Sequence, residues 1–88
     1  MTGSRLLYIG GLTEATTAQN LRELFAPFGV VEWAHIVTHK FSGKTAGYGF
    51  VEMDTVEHAL AAVETLEGAE RQGLRLRAYV TPCAHQKV

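Results

Sequence analysis

Gly47-Tyr48-Gly49-Phe50-Val51-Glu52-Met53 alternates along its whole length. In an extended chain Gly49, Val51 and Met53 fall on one side, and Tyr48, Phe50 and Glu52 on the other. Aromatic and β-branched residues at that period predict a strand. Downstream, Asp54 with Glu57 three residues later reads as a capping box that opens a helix. Its buried stripe is Ala59, Ala62, Val63 and Leu66, and Gly68 ends it. Leu74–Thr81 alternates again and stops at Pro82, which predicts a last strand. Upstream, Phe41–Thr45 contains Ser42-Gly43 and reads as a turn, and Val30–His39, with its Val, Ile and Trp, reads as a strand. Before it, Leu21, Leu24, Phe25 and Phe28 share one face of a helix, which Pro27 and Gly29 close. Thr16 with Gln19 fits a capping box at its start, with Thr17 as the rival cap. The apolar run Leu6–Leu12, ending in Gly10-Gly11, predicts the first strand.

The element order is therefore βαββαβ. Two βα units around a hairpin predict an α+β, ferredoxin-like sandwich: a four-stranded antiparallel sheet with both helices on one face. The other face is left open. If Leu7 and Ile9 point to the helices, Tyr8 points away from them, as do Tyr48 and Phe50. Two readings of these three rings stand level. Aromatics stabilise neighbouring strands through cross-strand pairs. Aromatics on an uncovered sheet also stack the bases of single-stranded nucleic acid, at about 1–3 kcal/mol per base.

Composition bounds the choice. The chain has 88 residues, 47% hydrophobic and 19% charged, which suits one small globular domain. Eight basic residues against nine acidic give a formal net charge of −1, unlike a histone-like nucleic-acid coat. No apolar run approaches the roughly 20 residues of a membrane span, and the N-terminus lacks a signal peptide's pattern. A single cysteine, Cys83, forms no internal disulfide and suits a reducing cytoplasm.

Two stretches carry a family resemblance. Leu7-Tyr8-Ile9-Gly10-Gly11-Leu12 resembles the short ribonucleoprotein hexamer of the RNA recognition motif. Ala46-Gly47-Tyr48-Gly49-Phe50-Val51-Glu52-Met53 resembles its octamer, K/R-G-F/Y-G/A-F-V-x-F/Y. The resemblance runs from Arg5 to about Thr81 and includes the Leu-x-x-Leu-Phe helix and Phe28-Gly29. It implies one domain over residues 1–88, with its core at 5–81 and a short tail at 82–88. It also implies that Tyr8, Tyr48 and Phe50 stack bases of single-stranded RNA. The residue pattern departs from the family twice. Ala46 replaces the basic residue that contacts phosphate, and Met53 replaces an aromatic that faces the core.

Further candidates follow from alternation. Arg75, Arg77 and Tyr79 run out of phase with Leu74, Leu76, Ala78 and Val80, which puts them on the open face if Leu76 and Ala78 are core. Arg77 is expected to hold phosphate or to stack, Arg75 is equally well an exposed edge charge, and Tyr79 borders the site. Trp33 and His35 alternate with Ala34 and Ile36 and extend the stacking surface, or else Trp33 packs the sheet edge. Lys40 and Lys44 flank the turn and grip phosphate or remain solvated, and Arg5 and Lys87 add to the same rim.

Other chemistries lack their residues. His35 has no ligand partner at metal-binding spacing, so no metal or cofactor is expected. Gly43-Lys44-Thr45 ends like a phosphate loop, but Thr38 stands where that loop needs glycine. An acylphosphatase on this fold needs an arginine in the loop Gly11–Thr17, which has none, and a copper carrier needs a second cysteine near Cys83. No nucleophile, base and orienting group stand together, so an enzyme is not expected. The expected partner is single-stranded RNA, with single-stranded DNA as the related ligand and protein binding as the alternative function. The domain is expected to be a monomer in the cytoplasm, or in the nucleus of a eukaryote. Two readings of its extent stay open, a complete small protein and a piece of a longer chain.

Overall fold

The computed structural model describes residues 4–71 and 73–81. Strand β1 spans Leu6–Gly10, helix α1 Ala18–Phe25, β2 Val31–Thr38, β3 Thr45–Met53 and α2 Val56–Leu66. A two-residue pair, β4 (Glu70–Arg71) and β5 (Leu74–Arg75), precedes the last strand β6, Arg77–Val80. The main sheet has the order β2-β3-β1-β6, with every neighbouring pair antiparallel. The fold is the expected ferredoxin-like sandwich.

The core is where the alternation put it. Leu7, Ile9, Val51, Met53 and Ala78 are buried beneath the sheet against Leu21 and Phe25 of α1 and Ala59, Ala62 and Leu66 of α2. Val63, at the edge of the α2 stripe, is only partly buried. Fully burying one such Leu or Phe side chain contributes about 1.5–3 kcal/mol, so this single layer of side chains carries most of the fold.

Both helix starts lie one residue later than the first-choice caps. Thr17 caps α1: its Oγ1 accepts from the Asn20 N–H, and the Asn20 side chain accepts from the Thr17 N–H. The box thus closes with Asn20, not Gln19, while Thr16 is buried and accepts from the Thr13 N–H. Thr55, not Asp54, caps α2 by accepting from the His58 N–H at 3.0 Å. The strand register decides this. Asp54 is still tied to the residue that leads into β2, its N–H donating to the Val30 carbonyl, and its carboxylate lies 2.7 Å from His58 Nδ1.

The predicted last strand is broken. Leu74–Arg75 pairs with Glu70–Arg71, and Leu76 turns aside to exchange backbone hydrogen bonds with Gly68 and Ala69. The reason lies in the neighbour: β1 ends at Gly10, opposite Arg77, and Gly11 turns away with φ +85°. β1 therefore offers no partner in the main sheet to residues before Arg77. The β2–β3 ladder also carries two irregularities. Val31 and Ala34 both face the core although three residues apart, because a bulge lies between Val31 and Trp33. Past Ile36, two residues of β2 span four of β3, and Gly47 takes φ +92° in that stretch.

Candidate nucleic-acid interface

The register brings six rings onto the open face. Tyr8, at the centre of β1, lies opposite Phe50 on β3 and Tyr79 on β6. Tyr48 lies opposite Gly10, and His35 and Trp33 on β2 lie opposite Phe50 and Glu52. The bulge after Val31 is what turns Trp33 outward.

The rings hold each other. Tyr8 stacks on Tyr79 with centroids 4.6 Å apart and planes 18° from parallel, and on Tyr48 at 5.5 Å and 25°. Phe50 stands edge-on to both Tyr8 and Tyr48 at 6.1 and 6.0 Å. Trp33 and His35 form a separate stacked pair at 5.7 Å. Tyr79 is 49% and Trp33 44% exposed, so large aromatic surface meets solvent. Mutual packing fixes the rotamers in advance, which lowers the ordering cost of binding a flat ligand. Tyr79, on the edge strand β6, stands at the border of the ring cluster and stacks on Tyr8.

Gly10 belongs to this surface, although its side chain cannot bind anything. A methyl group there would meet the Tyr8 Oη at 2.5 Å and its ring carbons at 2.9 and 3.0 Å. The Tyr8 ring thus lies over Gly10, two residues along the same strand face. The signal was in the sequence: aromatic, any residue, glycine.

The cations are arranged less simply. Arg77 Nε donates to Glu67 Oε2 at 3.2 Å, and the Ala78 N–H donates to Glu67 Oε1 at 2.6 Å. The Ala78 N–H above all, helped by the Arg77 guanidinium, holds the Glu67 carboxyl below the ordinary glutamate value although desolvation pushes the other way. Arg75 does not share the open face. It sits on β5 and pairs with Glu70 at 2.8 Å. Lys44 Nζ lies 3.9 Å from Glu14, and Arg5 Nη2 lies 3.3 Å from Glu52. Lys40 Nζ sits over the Phe41 ring at 5.8 Å, and Phe41 is 94% exposed at the hairpin tip. Ala46 places no charge beside Tyr48. Lys87, and the part of the predicted 82–88 tail it belongs to, lie outside the described residues. Sequence reading missed Glu67, ten residues from Arg77, because no local pattern links them. It passed over Phe41, although an aromatic in a turn with no periodic partner is itself a signal.

Comparison with known proteins gives a consistent result. The family model of the RNA recognition motif matches residues 7–77. The small ribosomal subunit protein uS19m of Arabidopsis thaliana is 36% identical over 73 residues, which cover 83% of this chain and 34% of that protein. RbpA of Nostoc sp. is 37% identical over 71 residues, 81% of this chain and 70% of that one. This chain thus spans about a third of the ribosomal relative and most of the cyanobacterial one. The crystal structure of RNA binding protein PG1 superposes with a TM-score of 0.84 at 32% identity, covering 89% of this chain and 94% of that one.

Proposed function

The chain belongs to the RNA recognition motif family, and on that premise we propose that its open sheet face binds single-stranded RNA by stacking bases on Tyr8, Tyr48 and Phe50. The observation that carries this reading is the ring cluster itself, six aromatic side chains on the sheet face opposite the two helices. Tyr79, Trp33 and His35 extend the platform, while Arg77, Lys44 and Lys40 hold phosphates. Stacking of two or three bases, about 6 kcal/mol in all, gives by itself an affinity no tighter than roughly tens of micromolar. Stacking needs no 2′-hydroxyl, so single-stranded DNA binds the same face. The domain works by binding, not by catalysis.

The domain acts as a monomer. An exposed edge strand invites pairing with a second chain, and here the Glu67 carboxylate occupies the Ala78 N–H on the β6 edge. No helix among the described residues is long and apolar enough to cross a membrane. The lone Cys83 supports a reducing compartment, the cytoplasm.

The test is a fluorescence-anisotropy titration of wild type and Phe50→Ala with a randomised RNA pool. Phe50 faces out of the core, so the variant stays folded. Losing one stack weakens binding by about fivefold or more. Unchanged affinity in a folded Phe50→Ala overturns the stacking mechanism. Protein partners captured equally well after RNA is removed would favour the protein-interaction reading.

A further inference from the structure

The open face also carries an anion that base stacking does not use. Glu52 is the next outward residue after Phe50 on β3, about 7 Å along the strand. Its cross-strand neighbours are Leu6 on β1 and Trp33 on β2. Arg5 fixes it: Nη2 reaches Glu52 Oε2 at 3.3 Å, while Nη1 donates to the Met53 carbonyl at 3.3 Å. Arg5 thus holds the carboxylate through Oε2, beside Trp33 and two residues along the strand from Phe50, and among the described residues its Oε1 takes no hydrogen bond and can accept one from another donor. A half-exposed ion pair stabilises a fold little. On a surface that receives a polyanion, a carboxylate also repels phosphate. Both costs become useful if the group faces a donor-rich base edge.

We propose that Glu52 reads the Watson–Crick edge of a base laid against Phe50 or Trp33, and that it selects guanine over uracil. The inference rests on the RNA-binding reading above. An ionised carboxylate only accepts hydrogen bonds. Guanine offers two adjacent donors there, N1–H and the N2 amino group, which match the two carboxylate oxygens side by side. Uracil offers a single N3–H between two carbonyl oxygens, and both of these oppose the anion. Repulsion of phosphate works in the same direction, since it orients the nucleotide with its base toward Glu52 and its backbone away. Glu52 therefore sorts ligands by their edge while the rings bind them by their faces.

The test titrates the full chain with three labelled RNA octamers: all-uridine, the same with one internal guanosine, and the same with one internal cytidine. Wild type is expected to bind the guanosine octamer about fivefold more tightly than the all-uridine octamer. In Glu52→Gln that ratio falls to within about twofold, while the all-uridine octamer binds at least as tightly as to wild type. The glutamine amide pairs equally with the N–H and C=O that guanine and uracil share, and it no longer repels phosphate. Glu52→Ala is the second variant and loses the same discrimination. Circular dichroism melts establish that both are folded. A wild type without guanine preference, a cytidine preference equal to the guanosine one, or a preference intact in Glu52→Gln overturns the proposal. Failure of wild type to bind any octamer overturns the RNA-binding reading itself, and this inference with it.

Discussion

Gly10 and Gly11 are neighbours in the chain and carry opposite burdens. At Gly10 the nearest atoms that an added methyl meets are the hydroxyl and ring carbons of Tyr8, a side chain that can swing away. At Gly11 the backbone has φ +85°, and a methyl would run into the Arg75 carbonyl, which belongs to rigid backbone. Gly10→Ala is therefore expected to keep the melting temperature near that of wild type while lifting Tyr8 off the sheet. RNA affinity then falls by about fivefold, the loss of one stack. Gly11→Ala is expected to lose about 1–3 kcal/mol of stability from backbone strain alone, read from chemical denaturation. A Gly10→Ala protein that binds RNA as well as wild type would show that the position of the Tyr8 ring over Gly10 has no part in binding. Tyr8-Ile9-Gly10 carries a signal for the first glycine, but nothing in the sequence marks the second. Only the third dimension brings the Arg75 carbonyl to Gly11.

Elements were legible where a period repeats and illegible where a partner decides. The alternation in Gly47–Met53 separates core from open face because burial of Val51 and Met53 leaves no other choice. The last strand reads as continuous from Leu74 to Thr81, yet β6 starts at Arg77 because β1 runs out at Gly10. The same strand edge gives a pH prediction. Glu67 ends α2 and clamps β6 through the Ala78 N–H and Arg77, which lower its pKa in the fold. A carboxyl with a depressed folded pKa contributes stability above its unfolded value, and that contribution is lost as the pH falls through the folded value. Wild type is thus expected to melt above Glu67→Gln at neutral pH. The gap narrows as the pH drops below the ordinary 4.5 and closes once Glu67 is protonated in the fold. A gap that stays constant down to acid pH would mean that the glutamine amide merely packs differently.

At the scale of the whole molecule the net charge of −1 conceals a split. Asp54 to Glu70 holds five acidic residues and no Lys or Arg, a net −5; the rest holds eight basic and four acidic, a net +4. The sequence puts that acidic block on a helix behind the sheet, which predicts a mildly basic binding side. The fold alters that picture, because Glu67 and Glu70 reach round to Arg77 and Arg75. Lys44 and Arg5 likewise stand beside Glu14 and Glu52. A phosphate that binds Arg77 must therefore take it from a carboxylate already in place. When Arg77 leaves, the freed Glu67 draws a cation from solution, and this offsets part of the counterion release that drives RNA binding. Two to four phosphate contacts on a single strand give a slope of about −1.4 to −2.8 in log affinity against log salt. Self-pairing of the cations puts wild type near the shallow end, about −1.4. Glu67→Gln leaves Arg77 without its competing anion, and the slope should steepen by about 0.7, one phosphate contact. Titrations of both proteins across a salt series measure this difference directly. A wild-type slope well beyond −2.8 would mean that charge, not stacking, carries most of the affinity. Equal slopes in the two proteins would mean that Arg77 stays out of the bound complex, whatever Tyr8, Tyr48 and Phe50 contribute.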